Sequence, residues 1–266
     1  MLYFVATPIG NLNDFSLRAI ETLKSVDEIA CEDTRHSLTL LNHYGIKKPL
    51  FSYHKFNERE SGEKIIDKLR QGKNIAVISD AGTPIISDPG NILTEMLIEN
   101  DLDFTVIPGA CALINALVLS GADASRFCFL GFLPEKKSDR ETLLNKYKNL
   151  DMTTIFYSAP HDVIKDLNDI YAVFGDRRAV AVKEITKIHE KAEGFNLGSI
   201  PITEPKGEYV IVVEKGKEEN GFLALTPKEH IDKYIKMGYD KKEALKLVAK
   251  ERKVPKSSLY KYTIEE

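Results

Sequence analysis

Short runs of four or five apolar residues alternate, over the first two hundred positions, with longer segments whose apolar residues recur every three or four places. Leu2-Tyr3-Phe4-Val5, Ile29-Ala30-Cys31, Ile75-Ala76-Val77-Ile78 and Phe104-Thr105-Val106-Ile107 are too short for helices and read as strands. Asp14 to Ser25 carries Phe15, Leu17, Ile20, Leu23 and Val26 near helical spacing, behind an Asn13/Asp14 cap. Glu60 to Gln71 reads as an amphipathic helix closed by Gly72, and Asn91 to Glu99 as another. Ala112 to Leu119 is apolar nearly all round, which predicts a buried helix ending at Gly121. Alternation of this kind is the pattern of α/β layering.

Beyond that helix the strands become aromatic and β-branched: Phe127–Phe132, Thr154–Tyr157, Ala179–Val182 and Tyr209–Val213, with helices expected over 138–147 and 163–174. The expected fold class is therefore α/β, with one α/β domain over 1–112, a second over 113–217 and a ligand cleft between them. A polar segment from Gly216 to Gly221 reads as a linker to a small helical module over 226–266. There, Lys241–Arg252 is helical with Ala244, Leu245, Val248 and Ala249 on one face. Val254–Ser258 turns, and Leu259–Tyr262 restarts a helix. That is helix-turn-helix grammar, and a plain αα-hairpin with a solvated lysine face has the same signature.

Charge sharpens the picture of this module. The formal net charge of the 266 residues is −3, yet Lys241–Lys261 holds eight Lys/Arg against two Glu, so this segment is +6 and the rest of the chain −9. A basic tail on an acidic body suggests a polyanion touched by one region only. No stretch approaches the roughly 20 apolar residues of a membrane span, and no basic-then-apolar leader precedes the first strand, so a soluble cytoplasmic protein is expected. Cys31, Cys111 and Cys128 are odd in number, far apart and set in apolar segments, which supports neither a disulfide framework nor a zinc site.

Candidate chemistry lies where strands end. Ser79-Asp80-Ala81-Gly82-Thr83-Pro84-Ile85-Ile86-Ser87-Asp88-Pro89-Gly90 follows one strand, Ala6-Thr7-Pro8-Ile9-Gly10-Asn11-Leu12 another, and Pro108-Gly109-Ala110-Cys111-Ala112 a third. Small residues let a ligand approach the backbone, and in a parallel sheet such loops crowd one edge. There is no GxGxxG loop, Walker lysine, GxSxG elbow, paired-His motif or CxxC pair. What remains suits a zwitterionic or nucleoside-like ligand. Later strands add Tyr157-Ser158-Ala159-Pro160-His161 and Lys183-Glu184-Ile185-Thr186-Lys187; Glu184 and Lys187 stand one turn apart if that segment is helical, and on opposite faces if it is extended.

With the blocks Val5–Leu12, Cys31-Glu32-Asp33-Thr34-Arg35, Ser79–Gly90, Pro108–Ala110, Gly131-Phe132-Leu133-Pro134 and Glu184–Lys187 in this order, the first 215 or so residues resemble the bacterial small-subunit ribosomal RNA methyltransferase I family, a branch of the tetrapyrrole (class III) methylases. The resemblance implies two α/β domains with S-adenosylmethionine bound between them, a homodimer, and methyl transfer to the ribose 2′-hydroxyl of a decoding-centre cytidine in 16S rRNA of the small ribosomal subunit. It implies cofactor contacts at Pro8, Asp80, Thr83, Ile86, Cys111 and Ala112, and at strand ends near Tyr157, Val182 and Gly207. Glu184 or Lys187 is the candidate proton acceptor, with Arg35 and Lys187 as alternatives for steering phosphate. No metal is implied. His161 falls in the substrate region, and Lys246, Lys250, Lys253 and Lys256 could track RNA phosphates, with Tyr260 and Tyr262 placed to stack.

The chain departs from the family pattern at Ser158-Ala159-Pro160-His161-Asp162, where Glu-Ser-Pro-His-Arg is usual, and at Lys183, where arginine is common. Asp162 removes a phosphate contact. Two other readings stay open on the residues: a class III methylase with a porphyrinoid or protein acceptor, and a helix-turn-helix regulator sensing a small ligand.

Overall fold

The run Ile75–Ile78 has apolar side chains on both faces, and such a strand is stable only between two layers of helix. It becomes the centre of a five-stranded parallel sheet in the computed structural model, which describes residues 1–216 and 225–262. The strands are β1 (Leu2–Val5), β2 (Glu28–Cys31), β3 (Leu50–Ser52), β4 (Ile75–Ile78) and β5 (Phe104–Ile107), in the order β3-β2-β4-β1-β5. Helices α1 (Leu17–Ser25) and α2 (Thr34–His43) cover one face, where Ala19, Leu23 and Leu41 meet Val5, Ile29, Ala76 and Ile78. Helices α3 (Glu58–Arg70) and α4 (Asn91–Glu99) cover the other, packing Ile65, Leu69, Leu93 and Leu97 on Leu2, Phe4, Ile75 and Val77. Neighbouring strand residues thus serve opposite cores.

Helix α5 (Ala112–Ser120) leads to a second sheet: β6 (Phe127–Phe132), β7 (Thr153–Ser158), β8 (Arg178–Lys183), β9 (Lys191–Asn196) and β10 (Tyr209–Val213), ordered β6-β7-β10-β8-β9. Only β6 and β7 run parallel; the β10 and β9 pairings are antiparallel. Helices α6 (Lys137–Tyr147) and α7 (Val163–Phe174) pack on one face and α5 on the other, through Leu113, Ala116 and Leu117. A buried ion pair ties α6 to α7: Arg140 Nε lies 2.6 Å from Asp169 Oδ2, and Nη1 donates to the carbonyls of Pro134 and Glu135. The two sheets lie on either side of residue 112, inside one compact unit, Met1–Lys215.

Several expectations need correction. Helix α1 starts three residues later than its periodicity suggests, because Ser16 rather than Asn13 or Asp14 accepts from the Ala19 N–H; Leu12–Asp14 is a separate 3-10 turn. Thr34-Arg35, for which no helix was expected, is the first turn of α2, capped by the Asp33 carboxylate. Strands β3 and β9 were not foreseen. Helix α5 is not buried all round: Leu113, Ala116 and Leu117 face the second sheet, whereas Ile114, Val118 and Leu119 are exposed, Val118 by 73%.

The second unit, Gly216–Glu266, has its own small core of Ile231, Tyr234, Ala244, Leu245, Val248 and Leu259. Helix α8 (Pro227–Lys236) begins with a complete capping box between Thr226 and Glu229; α9 (Lys241–Glu251) is capped by Asp240, and Lys256–Tyr262 is 3-10 rather than α-helical. His230 is fully buried, with Nε2 2.9 Å from Glu251 Oε2 and Nδ1 accepting from Arg252 Nε at 3.1 Å. The expected linker beyond Gly216 and the last four residues of the 226–266 module lie outside the described residues. Among those described, no helix is long and apolar enough to cross a membrane.

Candidate functional site

Parallel strands deliver their loops to one edge, and here the loops are stitched together as well. Thr7 and Gly82 form an isolated antiparallel bridge, Thr7 N donating to Gly82 O (2.8 Å) and Gly82 N to Thr7 O (3.1 Å). Thr83 Oγ1 donates to Ala110 O at 3.2 Å, which joins the third loop to the second. Glycine is required at two of these contacts. Gly82 has φ +82°, and a Cβ on Gly109 would stand 2.9 Å from the Ala6 Cβ.

These loops form one wall of a cavity of about 400 Å³, contributing Ile9, Asp80, Gly82, Thr83, Ile86 and Asp88 together with Cys111 and Ala112; Glu32, from the end of β2, joins them. The facing wall comes from the second sheet: Phe132, Tyr157, the Ser158–Pro160 segment, Glu184, Lys187 and the β10 start at Glu208–Val210. Tyr157 is fixed by edge contacts with Phe129 and Phe132, and its hydroxyl accepts from Leu113 N at 3.3 Å. Burial pushes its pKa up to about 12, so it stays a neutral phenol.

Five carboxylates and one lysine line the cavity, so its field favours a cationic ligand. Burial raises the Asp88 pKa to about 6, assisted by the charges of Glu32 and Asp80, and burial raises Glu32 too. The loop bearing Asp88 is strained, with Ile85 at φ +79° and Ser87 at φ +67°. Glu58 holds it down, accepting from Gly90 N (3.3 Å) and from the Tyr53 hydroxyl (3.4 Å).

A second strained turn leaves β8, with Glu184 at φ +51° and Thr186 at φ +67°. It is neither the helix nor the extended chain weighed from sequence, and it brings Lys187 Nζ within 3.0 Å of Glu184 Oε1. Lys187 foremost, and then the Glu208 N–H, hold the Glu184 carboxyl below the usual carboxylate range. Thr186 Oγ1 accepts from Asn11 N at 3.1 Å, which ties this turn to the first loop. The pair is also walled in, since a Cβ on Gly10 would stand 2.6 Å from Lys187 Cγ and one on Gly207 would overlap the Glu184 carboxylate.

The structure therefore places Asp80, Thr83, Ile86, Cys111, Ala112, Tyr157, Glu184 and Lys187 on one cavity. Pro8 is buried behind the wall that Ile9 forms, Val182 is packed in the α5 core, and Gly207 backs Glu184; none of the three lines the cavity. Arg35 projects from the surface of α2, and His161 is exposed beside Asp162, Nε2 to Oδ2 3.3 Å. In the second unit Lys246, Lys250 and Lys253 are exposed, while Lys256 is half-buried and donates to the Lys242 carbonyl at 3.2 Å. Sequence reasoning missed Glu32, Glu208, Tyr209 and Val210 as wall residues, although Glu32 directly follows a predicted strand. Among the described residues no group of His, Cys, Asp and Glu is arranged to hold a metal ion.

A cavity with carboxylates for a cation, apolar wall residues such as Ile9, Ile86, Phe132 and Val210, and small-residue loops fits an amino-acid nucleoside bearing positive charge. The family model of the tetrapyrrole (corrin/porphyrin) methylases matches residues 1–201. Curated relatives include the ribosomal RNA small subunit methyltransferase I of Halalkalibacterium halodurans, 41% identical over 271 residues that cover 97% of this chain and 93% of that protein. The protein of the same name from Haemophilus influenzae is 48% identical over 228 residues, 83% of this chain and 81% of that one. Among solved structures, diphthine synthase superposes with a TM-score of 0.64 at 15% identity, over 80% of this chain and 90% of that one. The uroporphyrin-III-C-methyltransferase of Thermus thermophilus does so at 0.55 and 17%, over 80% and 94%. These distant likenesses bear on the fold alone.

Proposed function

The chain belongs to the tetrapyrrole methylases, and from that membership we propose that it methylates the ribose 2′-hydroxyl of a cytidine in the decoding centre of 16S rRNA, with S-adenosylmethionine as donor. The observation that carries the reading is the single cavity in which three strand-end loops face the Glu184–Lys187 pair. Relatives 41% and 48% identical that are named for small-subunit rRNA support the acceptor over a porphyrinoid or protein.

S-adenosylmethionine supplies a methyl group on a sulfonium, already a good leaving group, so the protein's task is mainly to align the acceptor. Asp80, Thr83 and Asp88 on one wall, with the backbone at Cys111 and Ala112, would hold the cofactor's polar parts, and Tyr157 and Val210 its apolar surface. Glu184 is ionised and fixed by Lys187, so it would accept a hydrogen bond from the ribose hydroxyl, orient it and take its proton as the oxygen–methyl bond forms and the sulfur–methyl bond breaks, while Lys187 offsets the charge. The exposed lysines of α9 would hold RNA phosphates, and a homodimer in the cytoplasm fits an rRNA-modifying role. The exposed Phe104 and Val106 of edge strand β5, with Val118 of α5, offer the apolar surface that a second copy would cover.

Transfer of tritiated methyl from S-adenosylmethionine to small ribosomal subunits of a strain lacking the enzyme tests the proposal. One labelled nucleotide, mapped by mass spectrometry to a cytidine ribose of the decoding centre, is expected. Label on a base, or in protein, ends the 2′-hydroxyl reading.

A further inference from the structure

One of the most exposed apolar side chains of the first unit, Phe56 at 93%, sits on the edge of the sheet that carries the cavity. The registers show how near. Ser52 of β3 pairs with Cys31 of β2, and Cys31 with Ile78 of β4, so three strands end level and their loops start side by side. With strands about 4.8 Å apart, the loop bearing Phe56 begins roughly 10 Å from the loop bearing Asp80.

Phe56 is not on a loose segment. Asn57 closes the turn beneath it: Asn57 N donates to His54 O (2.9 Å), His54 N to Asn57 Oδ1 (2.8 Å), and Asn57 Nδ2 to Ser52 O (3.2 Å). His54 adds an edge contact at 6.2 Å between ring centroids. Glu58, the next residue but one, is the anchor of the Asp88 loop. A ring presented to water from a fixed turn costs hydrophobic free energy unless something covers it.

The chemistry around the ring says what. Lys55 and Arg59 flank it in sequence, and Arg35 and His36 stand on the first turn of α2, which follows the neighbouring strand β2; all four are exposed, and none forms an ion pair with a carboxylate among the described residues. Of the carboxylates nearby, Asp33 caps α2, Glu58 binds Tyr53 and Gly90, and Glu60 pairs with Lys64 at 2.7 Å, while Glu32 and Asp80 line the cavity. An aromatic face on a fixed turn, beside Lys55, Arg59 and Arg35 with no carboxylate ion pair, is the arrangement that grips single-stranded nucleic acid, bases stacking on the ring and phosphates meeting the cations.

We propose that Phe56 is a stacking platform for an unpaired base of the RNA strand flanking the target nucleotide, with Lys55, Arg59 and Arg35 holding the neighbouring phosphates. The inference rests on the rRNA reading above and deepens it by placing part of the substrate track on the first unit.

The test measures binding to small-subunit rRNA, with S-adenosylmethionine titration and thermal unfolding alongside. Phe56→Ala is expected to weaken RNA binding by about 5- to 100-fold, the range found when a stacked base loses its aromatic partner. Phe56→Trp should restore binding, and cofactor affinity and Tm should not move. Lys55→Ala and Arg59→Ala should each flatten the dependence of log affinity on log salt by about one unit, which Phe56→Ala should not. RNA affinity of Phe56→Ala within two-fold of the parent overturns the platform, as does a parallel loss of cofactor binding. A defect confined to assembled subunits and missing on bare rRNA overturns it too, by moving the contact to a ribosomal protein. Failure of the unmodified enzyme to methylate rRNA at all is a separate result and ends the functional reading itself.

Discussion

Gly207 leaves empty a position at which any side chain would collide with the carboxylate of Glu184. Its φ of +75° adds a conformational reason for glycine to the steric one. Gly207→Ala is therefore expected to destabilise the first unit by about 2 kcal/mol or more and to displace Glu184. Denaturant unfolding and methyl-transfer assays check the two effects together; a fully active, equally stable variant would mean that Glu184 is free to move.

Lys187 both orients Glu184 and supplies the lone positive charge of the cavity wall. Lys187→Ala and Glu184→Gln should each lower the rate of transfer by about 100-fold, the scale of a misplaced proton-handling group. Cofactor affinity, read by titration calorimetry, should fall much less. Equal losses in both would assign the pair to cofactor binding instead.

Asp88 ionises at about 6 in the folded chain, against about 4 when unfolded. A carboxyl raised in this way contributes stability below its unfolded value, and that contribution is lost as pH rises through 6. At pH 7.5 Asp88→Asn should thus stabilise the cofactor-free protein, by about 1–2 kcal/mol after allowing for solvent screening, and have no such effect at pH 4. The same variant should bind the cationic cofactor more weakly at pH 7.5, the difference shrinking as pH falls below 6. Melting and titration series across pH 4 to 8 measure both signs.

Arg140 is a structural charge, 5% exposed and bonded to Asp169 and two carbonyls. Arg140→Ala leaves that carboxylate buried and unpaired, so a loss of about 3–5 kcal/mol is expected in chemical denaturation. Arg140→Lys should recover only part of it, because a point charge does not reproduce the fork of contacts.

The first sheet was legible because β1, β4 and β5 are short runs of apolar and β-branched residues followed by small residues, and the cavity loops were legible for the same reason. What escaped had weaker local signals. Strand β9, Lys-Ala-Glu-Gly-Phe-Asn, has a poor strand composition and exists through its ladder to β8. Strand β3 has three residues, and α2 spaces Leu38, Leu40 and Leu41 irregularly for a helix that buries only one of them. Helix α8 was a different failure, since Thr226, Pro227 and Glu229 spell a capping box that was there to be read. Within the cavity, Glu32 and Glu208 were hidden because their place depends on which strands are neighbours, a tertiary fact. The split of α5 into buried and exposed faces also depends on partners, since nearly every side chain on it is apolar.

Helix α5 starts in the cavity wall at Cys111–Ala112 yet rests its length on the second sheet, whereas the Pro108–Ala110 segment just before it is bonded to the first. The joint between the halves of this unit thus runs through the binding pocket, and an occupant touching Asp80 and Tyr157 together acts as a rivet across it. Saturating ligand should then raise the melting point of both sheets by the same amount, as a single cooperative step.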